Sequence, residues 1–460
     1  MKKFTVRPRL CHTKEILVGS PDDIAKEWVF LGRLSEAGAI TNVHFDLSSE
    51  HVISIFGKRG SGKSYTLGSI LEGLCTVETN ASISKINRTR GVVLFDTLGI
   101  FQWLDIPLNQ DSSQELIKEQ TAFQKGWGIK PEILDVQIWI PVGMRSDTTP
   151  KRHKEFSIKS SDFNASDWGY LFGLDIFQDR MGQLLNDAYI KTVIEGWEDL
   201  NKKKYPPIQD YSIDNLIDCI KYDSELSTSY QPETKRAVIQ QLSTYKRNPL
   251  FQDKGTSFVD LIKPGQLSVI VMNKMSDELR FVIMSALMRR IIQARIEASE
   301  NEKRLRITPD LSEKDKEILK EKLAKAIPPT WIVLDEAQNA LPSERKTSST
   351  DVLIKLVREG RNFGLSFMLT TQQPSAVDQR ILAQVDTLIV HKLTVQGDIE
   401  YVKRNLKSNL PDEVKYANST LSFESLLRVL DTGQALVSNT EANRSFIIDI
   451  RPRVSVHGGF

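Results

Sequence analysis

The stretch Gly57-Lys-Arg-Gly-Ser-Gly62-Lys63-Ser64 constrains this chain more than any other. It follows the apolar run His51-Val-Ile-Ser-Ile-Phe56 and precedes a helix-compatible run from Tyr65 to Leu74. GxxxxGK[ST] between a buried strand and a helix is the arrangement of a phosphate loop. Glycines let the backbone curl until successive N–H groups point at one anion, and the following helix aims the positive end of its dipole at the same place. The expected ligand of Gly57, Lys58, Arg59, Gly60, Ser61, Gly62, Lys63, Ser64 and Tyr65 is therefore ATP. Lys63 would neutralise the β and γ phosphates and the Ser64 hydroxyl would ligate Mg²⁺.

A phosphate loop needs carboxylates across the sheet, and Trp331-Ile-Val-Leu-Asp335-Glu336 supplies an apolar strand ending in two of them. Asp335 is expected to hold the Mg²⁺ shell and Glu336 to accept the proton of the attacking water. The strand Leu365 to Thr371 ends in Gln372-Gln373. A neutral amide at such a tip can touch both γ-phosphate and water, so Gln372 is assigned a sensor role, with a polar strand cap as the alternative. Arg358 and Arg361, between these strands, are candidates for an arginine supplied to a neighbouring subunit, and equally for surface ion pairs.

Strand patterns at 51–56, 91–96, 267–272, 331–335, 365–371, 386–393, 433–438 and 445–450, separated by helical stretches, predict a mostly parallel α/β sheet. With 460 residues, two or three structural units are expected. Residues 1–50, with Trp28 to Leu31 and Ile40 to Leu47 as strands, read as a small N-terminal β subdomain. The ATPase core is placed at 51–104 and 251–450. Residues 105–250 read as a mostly helical insertion, with Asp179 to Lys202 helical and one strand at Leu134 to Val142. The Lys- and Glu-dense 299–326 reads as a solvated helical arm.

Composition removes several classes. A net charge of +2 excludes a bulk polycation coating nucleic acid, though not a locally basic channel. No apolar run reaches the roughly 18 residues of a membrane span, and MKKFTVRPRL lacks the apolar segment of a signal peptide. Cys11, Cys75 and Cys219 have neither zinc nor disulfide spacing, which fits a reducing cytoplasm. The six histidines, His12, His44, His51, His153, His391 and His457, form no nuclease-like cluster, and an LSGGQ signature of transport ATPases is absent.

With these residues in hand, the chain resembles the HerA family within the HerA–FtsK group of ring translocases. Five stretches carry the resemblance: HVISIFGKRGSGKS; Gly91 to Asp96 with Gly99; Leu261 to Ile270; Asp335-Glu-Ala-Gln through Arg358-Glu-Gly-Arg-Asn-Phe-Gly to Gln372-Gln-Pro-Ser375; and Arg451-Pro-Arg-Val-Ser-Val-His-Gly-Gly459. It implies a RecA-like P-loop NTPase core in a homohexameric ATPase that tracks double-stranded DNA. Arg361 or Arg358 would act in trans, and residues 451–460 would brace a neighbouring subunit. It also implies a separate effector, a nuclease or a sirtuin-like NADase as in phage-defence pairs, and no membrane. Two departures stand out. The acid that usually follows the glycine of the Asp96 motif is Ile100 here, and the segment before the phosphate loop is shorter than the family's archaeal β-barrel domain.

Direct signs of DNA contact are sparse. Lys85, Arg88 and Arg90 form one basic set and Lys151, Arg152 and Lys154 another. The leading expectation is an Mg·ATP-driven translocase. A nucleotide-gated scaffold ring, which activates an effector without moving along DNA, is the expectation from a different class.

Overall fold

The computed structural model describes residues 10–11, 15–19, 26–35, 40–344, 346–406, 413–416, 419–439 and 444–459. His12 and most of MKKFTVRPRL lie outside them. Contacts divide the chain into two units, 1–138 with 261–273 and 292–460, and 139–260 with 274–291.

The first unit is built on one sheet. Among its strands are β1 (Glu15–Val18), β2 (Trp28–Leu34), β3 (Asn42–Asp46), β4 (Val52–Phe56), β5 (Gly91–Asp96), β6 (Leu267–Val271), β7 (Thr330–Leu334), β8 (Leu365–Thr371), β9 (Thr387–Val390), β10 (Gln434–Asn439) and β11 (Arg444–Ile450). The spatial order is β6-β5-β7-β8-β4-β9-β10-β11-β2-β3-β1. From β6 to β9 all neighbours are parallel, and from β9 to β3 all are antiparallel. Every residue of β4, β5, β6, β7 and β8 is buried. This accounts for their unbroken apolar runs, since a parallel sheet is covered on both faces.

This order fixes the site. β8 lies between the phosphate-loop strand β4 and the carboxylate strand β7, with Thr371 opposite Phe56 and Leu369 opposite Leu334. All three strands end on the same edge, where parallel sheets bind ligands. The strands within 1–50, grouped as a subdomain from their composition, instead continue the main sheet: Ile448 and Ile450 of β11 pair with Leu34 and Gly32 of β2. Their apolar side chains, Val29, Leu31, Val43 and Phe45, share one core with Leu67, Ile70 and Leu71 of helix α1 (Lys63–Leu74). A sheet edge that would otherwise be open is closed by that pairing.

In the second unit, helices Ala165–Phe172, Arg180–Ile190, Ile213–Tyr222 and Pro232–Lys246 pack on one another, with the buried Trp168 ring against Phe163, Tyr245 and Phe251. The Trp168 indole donates to the Tyr211 hydroxyl at 2.7 Å, which donates to the Phe163 carbonyl at 2.8 Å. Helix Arg180–Ile190 runs into a π-turn at Lys191–Glu195 and stops at Gly196 (φ 86°), short of Lys202, because Trp197–Glu198 pairs with Lys204–Tyr205 as a hairpin. The boundaries differ from a 105–250 insertion. Residues 105–138 belong to the first unit, tied by bridges Thr76↔Leu134 and Pro107↔Ser455. Residues 251–260 and 274–291 belong to the second, where Arg289 and Arg290 pair with Asp167 and Asp162. Residues 299–326 comprise the end of helix Asp277–Ile307 and helix Glu313–Ala324, which Ser312 caps. Among the described residues no helix is long and apolar enough to cross a membrane.

Candidate nucleotide site

The chain leaves β4 at Phe56 and turns through Gly57–Gly62 into α1. Gly60 (φ 74°) and Gly62 (φ 111°) occupy the left-handed region that side chains with a Cβ avoid. A Cβ on Gly57 would come within 2.4 Å of Ser61 Oγ and 2.7 Å of the His391 Cβ. The Ser61 hydroxyl donates to the Lys58 carbonyl at 2.7 Å, closing the turn. Beneath the loop lies His391, which sequence reasoning left unassigned. Its Nδ1–H donates to the Gln434 carbonyl at 2.7 Å, so its Nε2 accepts the Thr66 hydroxyl at 2.8 Å. Burial, with the Lys63 charge, pulls His391 down to about 4 against the Gln434 bond, keeping it neutral. Tyr65 directs its hydroxyl away from the loop, accepting the Arg453 amide at 2.9 Å, so only its backbone can serve phosphate.

Across β8, Asp335 is fully buried. Its Oδ1 accepts the Thr370 hydroxyl at 2.5 Å, and its Oδ2 has no hydrogen-bond partner among the described residues. An unmet buried carboxylate oxygen suits a hard cation, and the Ser64 hydroxyl is likewise without a hydrogen bond there; these two groups fit Mg²⁺. Glu336 lies 3.7 Å from Lys63 Nζ, both nearly buried. The Gln372 amide donates to Glu336 Oε1 at 2.7 Å, and the Gln338 amide to Oε2 at 2.6 Å. Lys63, Asp335, Glu336 and Gln372 thus converge. Gln338 was overlooked in the sequence because an amide two residues past the carboxylates carries no spacing rule.

Asp96, on β5 beside β7, is fully spoken for. Its carboxylate accepts the amides of Gly99 at 2.8 Å, Ile100 at 3.2 Å and Phe101 at 2.9 Å. Ile100 therefore contributes a backbone amide to this loop, whatever an acid would have done there.

Burial pushes Asp335 up to about 6, and burial with the Asp335 charge pushes Asp96 up to about 7. Both exceed the unfolded value near 3.8. Between the two limits the folded chain binds more protons than the unfolded one, so these groups lose stability as pH rises from about 4 to about 7. Asp335→Asn is accordingly expected to melt higher than wild type at pH 8 in EDTA, by on the order of 1–3 kcal/mol. The advantage should shrink as the pH falls through 6 and vanish only below about pH 4, and the variant should lose Mg²⁺-dependent nucleotide binding. Thermal melts at the two pH values check it; equal melting at pH 8 rules it out.

The two arginines are separated by circumstance. Arg361 pairs with Asp386, whose Oδ2 also accepts the Val52 amide at 2.7 Å. That is the amino end of β4, about 17 Å of strand away from the loop at its carboxyl end. Arg358, in the last turn of helix α2 (Thr350–Glu359), is exposed and forms no ion pair among the described residues. The basic sets are partly committed too. Arg88 pairs with Asp135 at 2.5 Å, Arg90 with Glu50 at 3.0 Å, and Lys154 lies over the Trp139 ring at 5.5 Å. Lys85 and Lys151 are exposed.

Residues 451–459 pack on the chain's own α1. Glu72, fully buried, accepts Arg451 Nη1 and Arg453 Nε at 3.0 Å each, the Ser455 amide at 2.9 Å and the Ser455 hydroxyl at 2.6 Å. A Cβ on Gly458 would sit 2.2 Å from the Trp103 ring, so this position requires glycine. Within the single chain, residues 451–455 are thus packed in cis.

The family profile described as the central domain of helicase HerA matches residues 29–291, and that of zonular occludens toxin (Zot) matches residues 271–414. The DNA double-strand break repair helicase HerA of Pyrococcus furiosus is 25% identical over 199 residues, 42% of this chain and 36% of that protein. Its counterpart from Sulfurisphaera tokodaii is 23% identical over 232 residues, 50% and 41%. The chain thus spans well under half the length of these relatives. Among solved structures, VirB4 of Thermoanaerobacter pseudethanolicus aligns with a TM-score of 0.49 and 12% identity over 92% of this chain and 96% of that one. The plasmid coupling protein TrwB in complex with ADP and Mg²⁺ aligns at 0.44 and 11%, over 88% and 86%.

Proposed function

The chain belongs to the HerA central-domain family, and from that premise we propose that it is an Mg·ATP-hydrolysing motor that works on double-stranded DNA as a ring of six copies. The observation that carries this is the convergence of Lys63, Glu336 and Gln372 within 3.7 and 2.7 Å, beside the unmet Oδ2 of Asp335. ATP phosphates would take the place of Glu336 as the partner of Lys63, on the amides of Gly57–Ser64. Mg²⁺, held by Ser64 and Asp335, would supply charge neutralisation at the phosphates. Glu336 would then accept the proton of the attacking water, and Gln372, which already reaches it, would sense the γ-phosphate. Arg358, free on the surface, is the better placed of the two arginines to reach a neighbour's phosphates.

Within this reading a separate effector, a nuclease or a sirtuin-like NADase, supplies a second activity in DNA processing or phage defence. Relatives named for double-strand break repair support the former. The setting is the cytoplasm, where the buried thiols of Cys75 and Cys219 stay free.

The test is ATP turnover with and without double-stranded DNA, alongside the native mass. A six-chain particle whose turnover DNA stimulates is expected; brisk hydrolysis indifferent to DNA would overturn translocation. Arg358→Ala should lower stimulated turnover by roughly 1,000-fold with nucleotide still bound, whereas Arg361→Ala should chiefly lower the melting temperature. A folded but inactive Arg361→Ala would reverse the assignment. One observation favours a second reading: both Glu336 oxygens are held by amides, as suits slow turnover in a nucleotide-gated scaffold. That reading requires a Glu336→Gln ring to activate its effector fully.

A further inference from the structure

The two oxygens of Glu336 keep different company. Oε1 faces Lys63 and Gln372, the groups that a triphosphate would draw to itself. Oε2 faces Gln338 alone, at 2.6 Å. Gln338 is not free to turn, because its carbonyl oxygen accepts the Thr371 hydroxyl at 2.7 Å. With that oxygen taken, its NH₂ must point at Glu336. Thr371 is itself fixed: it is fully buried, pairs with Phe56 beside the phosphate loop, and its Oγ also accepts the Gln373 amide at 3.1 Å.

Glu336 needs such a hold. It has a left-handed backbone (φ 52°) that residues with a Cβ seldom adopt. Its amide is anchored to Thr370 Oγ at 3.1 Å, but that bond does not orient the carboxylate. A general base works only within hydrogen-bond reach of the proton it takes.

We propose that Gln338, oriented by Thr371, is a positioning residue that holds Oε2 of Glu336 through the cycle and leaves Oε1 to take the proton from water. The proposal rests on the ATPase reading above. It separates the two glutamines: Gln372 leaves the carboxylate when phosphate arrives, and Gln338 stays.

The experiment uses the full chain with Mg²⁺, measuring single-turnover hydrolysis and the affinity for a fluorescent ATP analogue. Gln338→Leu should lower the hydrolysis rate roughly 10-fold, the scale of an outer-shell orienting bond, with affinity within about 2-fold. Thr371→Val should reproduce most of that loss, and Thr371→Ser should restore the wild-type rate. The Gln338→Leu/Thr371→Val double variant should be no slower than Gln338→Leu, because the two act in series. Retained affinity shows that the variants fold. Wild-type rates in Gln338→Leu, losses that multiply in the double variant, or a loss confined to affinity would each overturn the proposal while leaving the ATPase reading intact. A wild-type protein that binds the analogue and never hydrolyses ATP would remove both.

Discussion

Glu336→Gln is expected to bind ATP and hydrolyse it roughly 100- to 10,000-fold more slowly than wild type, the range a positioned general base supplies. The substitution keeps the shape of the side chain and removes only its capacity to take a proton. It also removes the counter-ion 3.7 Å from Lys63, so the ammonium should hold phosphate at least as well as before. Lys63→Ala gives the opposite split, with nucleotide affinity lost together with turnover, because the loop's other cations, Lys58 and Arg59, are exposed, whereas Lys63 is buried against Glu336. Calorimetric titration with ATP, set beside a phosphate-release assay, separates the two. Wild-type turnover in Glu336→Gln would mean that a different group activates the water.

Glu72→Ala is expected to lose about 3–5 kcal/mol of stability, the usual cost of stranding a buried charge by deleting its partner. Among the described residues, Glu72 is the only carboxylate paired with the two buried guanidinium groups of Arg451 and Arg453. Burial alone would raise its pKa, but the Arg453 and Arg451 charges and the Ser455 hydroxyl outweigh burial and hold it below the ordinary range. Its contribution is therefore present at neutral pH and fades as the solution is acidified through that depressed value. Truncation also frees the Val454 and Ser455 amides, which both donate to Glu72. Urea unfolding of the variant and the wild type checks it. Indistinguishable midpoints would show that the pair of arginines finds another partner.

The five central parallel strands are legible to within a residue because they are buried on both faces and almost wholly apolar, whereas the strand expected at 386–393 ends at Val390. The phosphate loop was legible for a different reason: its chemistry is local, fitting within eight consecutive residues. What escaped notice is held together over long separations. His391 meets Thr66 across 325 positions, and Arg451 meets Glu72 across 379; neither leaves a spacing signature. The Gly and Ser breaks around the N-terminal strands resemble a domain boundary, whereas the pairing of β2 with β11 depends on a strand more than 400 residues away. Residues 105–138 read as helix with a strand starting at Leu134, and only the bridges to Ser455 and Thr76 assign them to the first unit. Arg88 and Arg90 looked like a basic surface, and only the fold reveals the acids facing them.

The lock between Glu72 and residues 451–455 also has a bearing on biosynthesis. The helix that carries Lys63 is specified early in the chain, yet the groups that neutralise its buried carboxylate are translated some 380 residues later. A ribosome that stalls before Ser455 leaves a nascent product whose nucleotide pocket lacks its back support. Such fragments would carry a buried carboxylate with no partner behind the phosphate loop, so only a chain translated through Ser455 completes the support of the helix that bears Lys63.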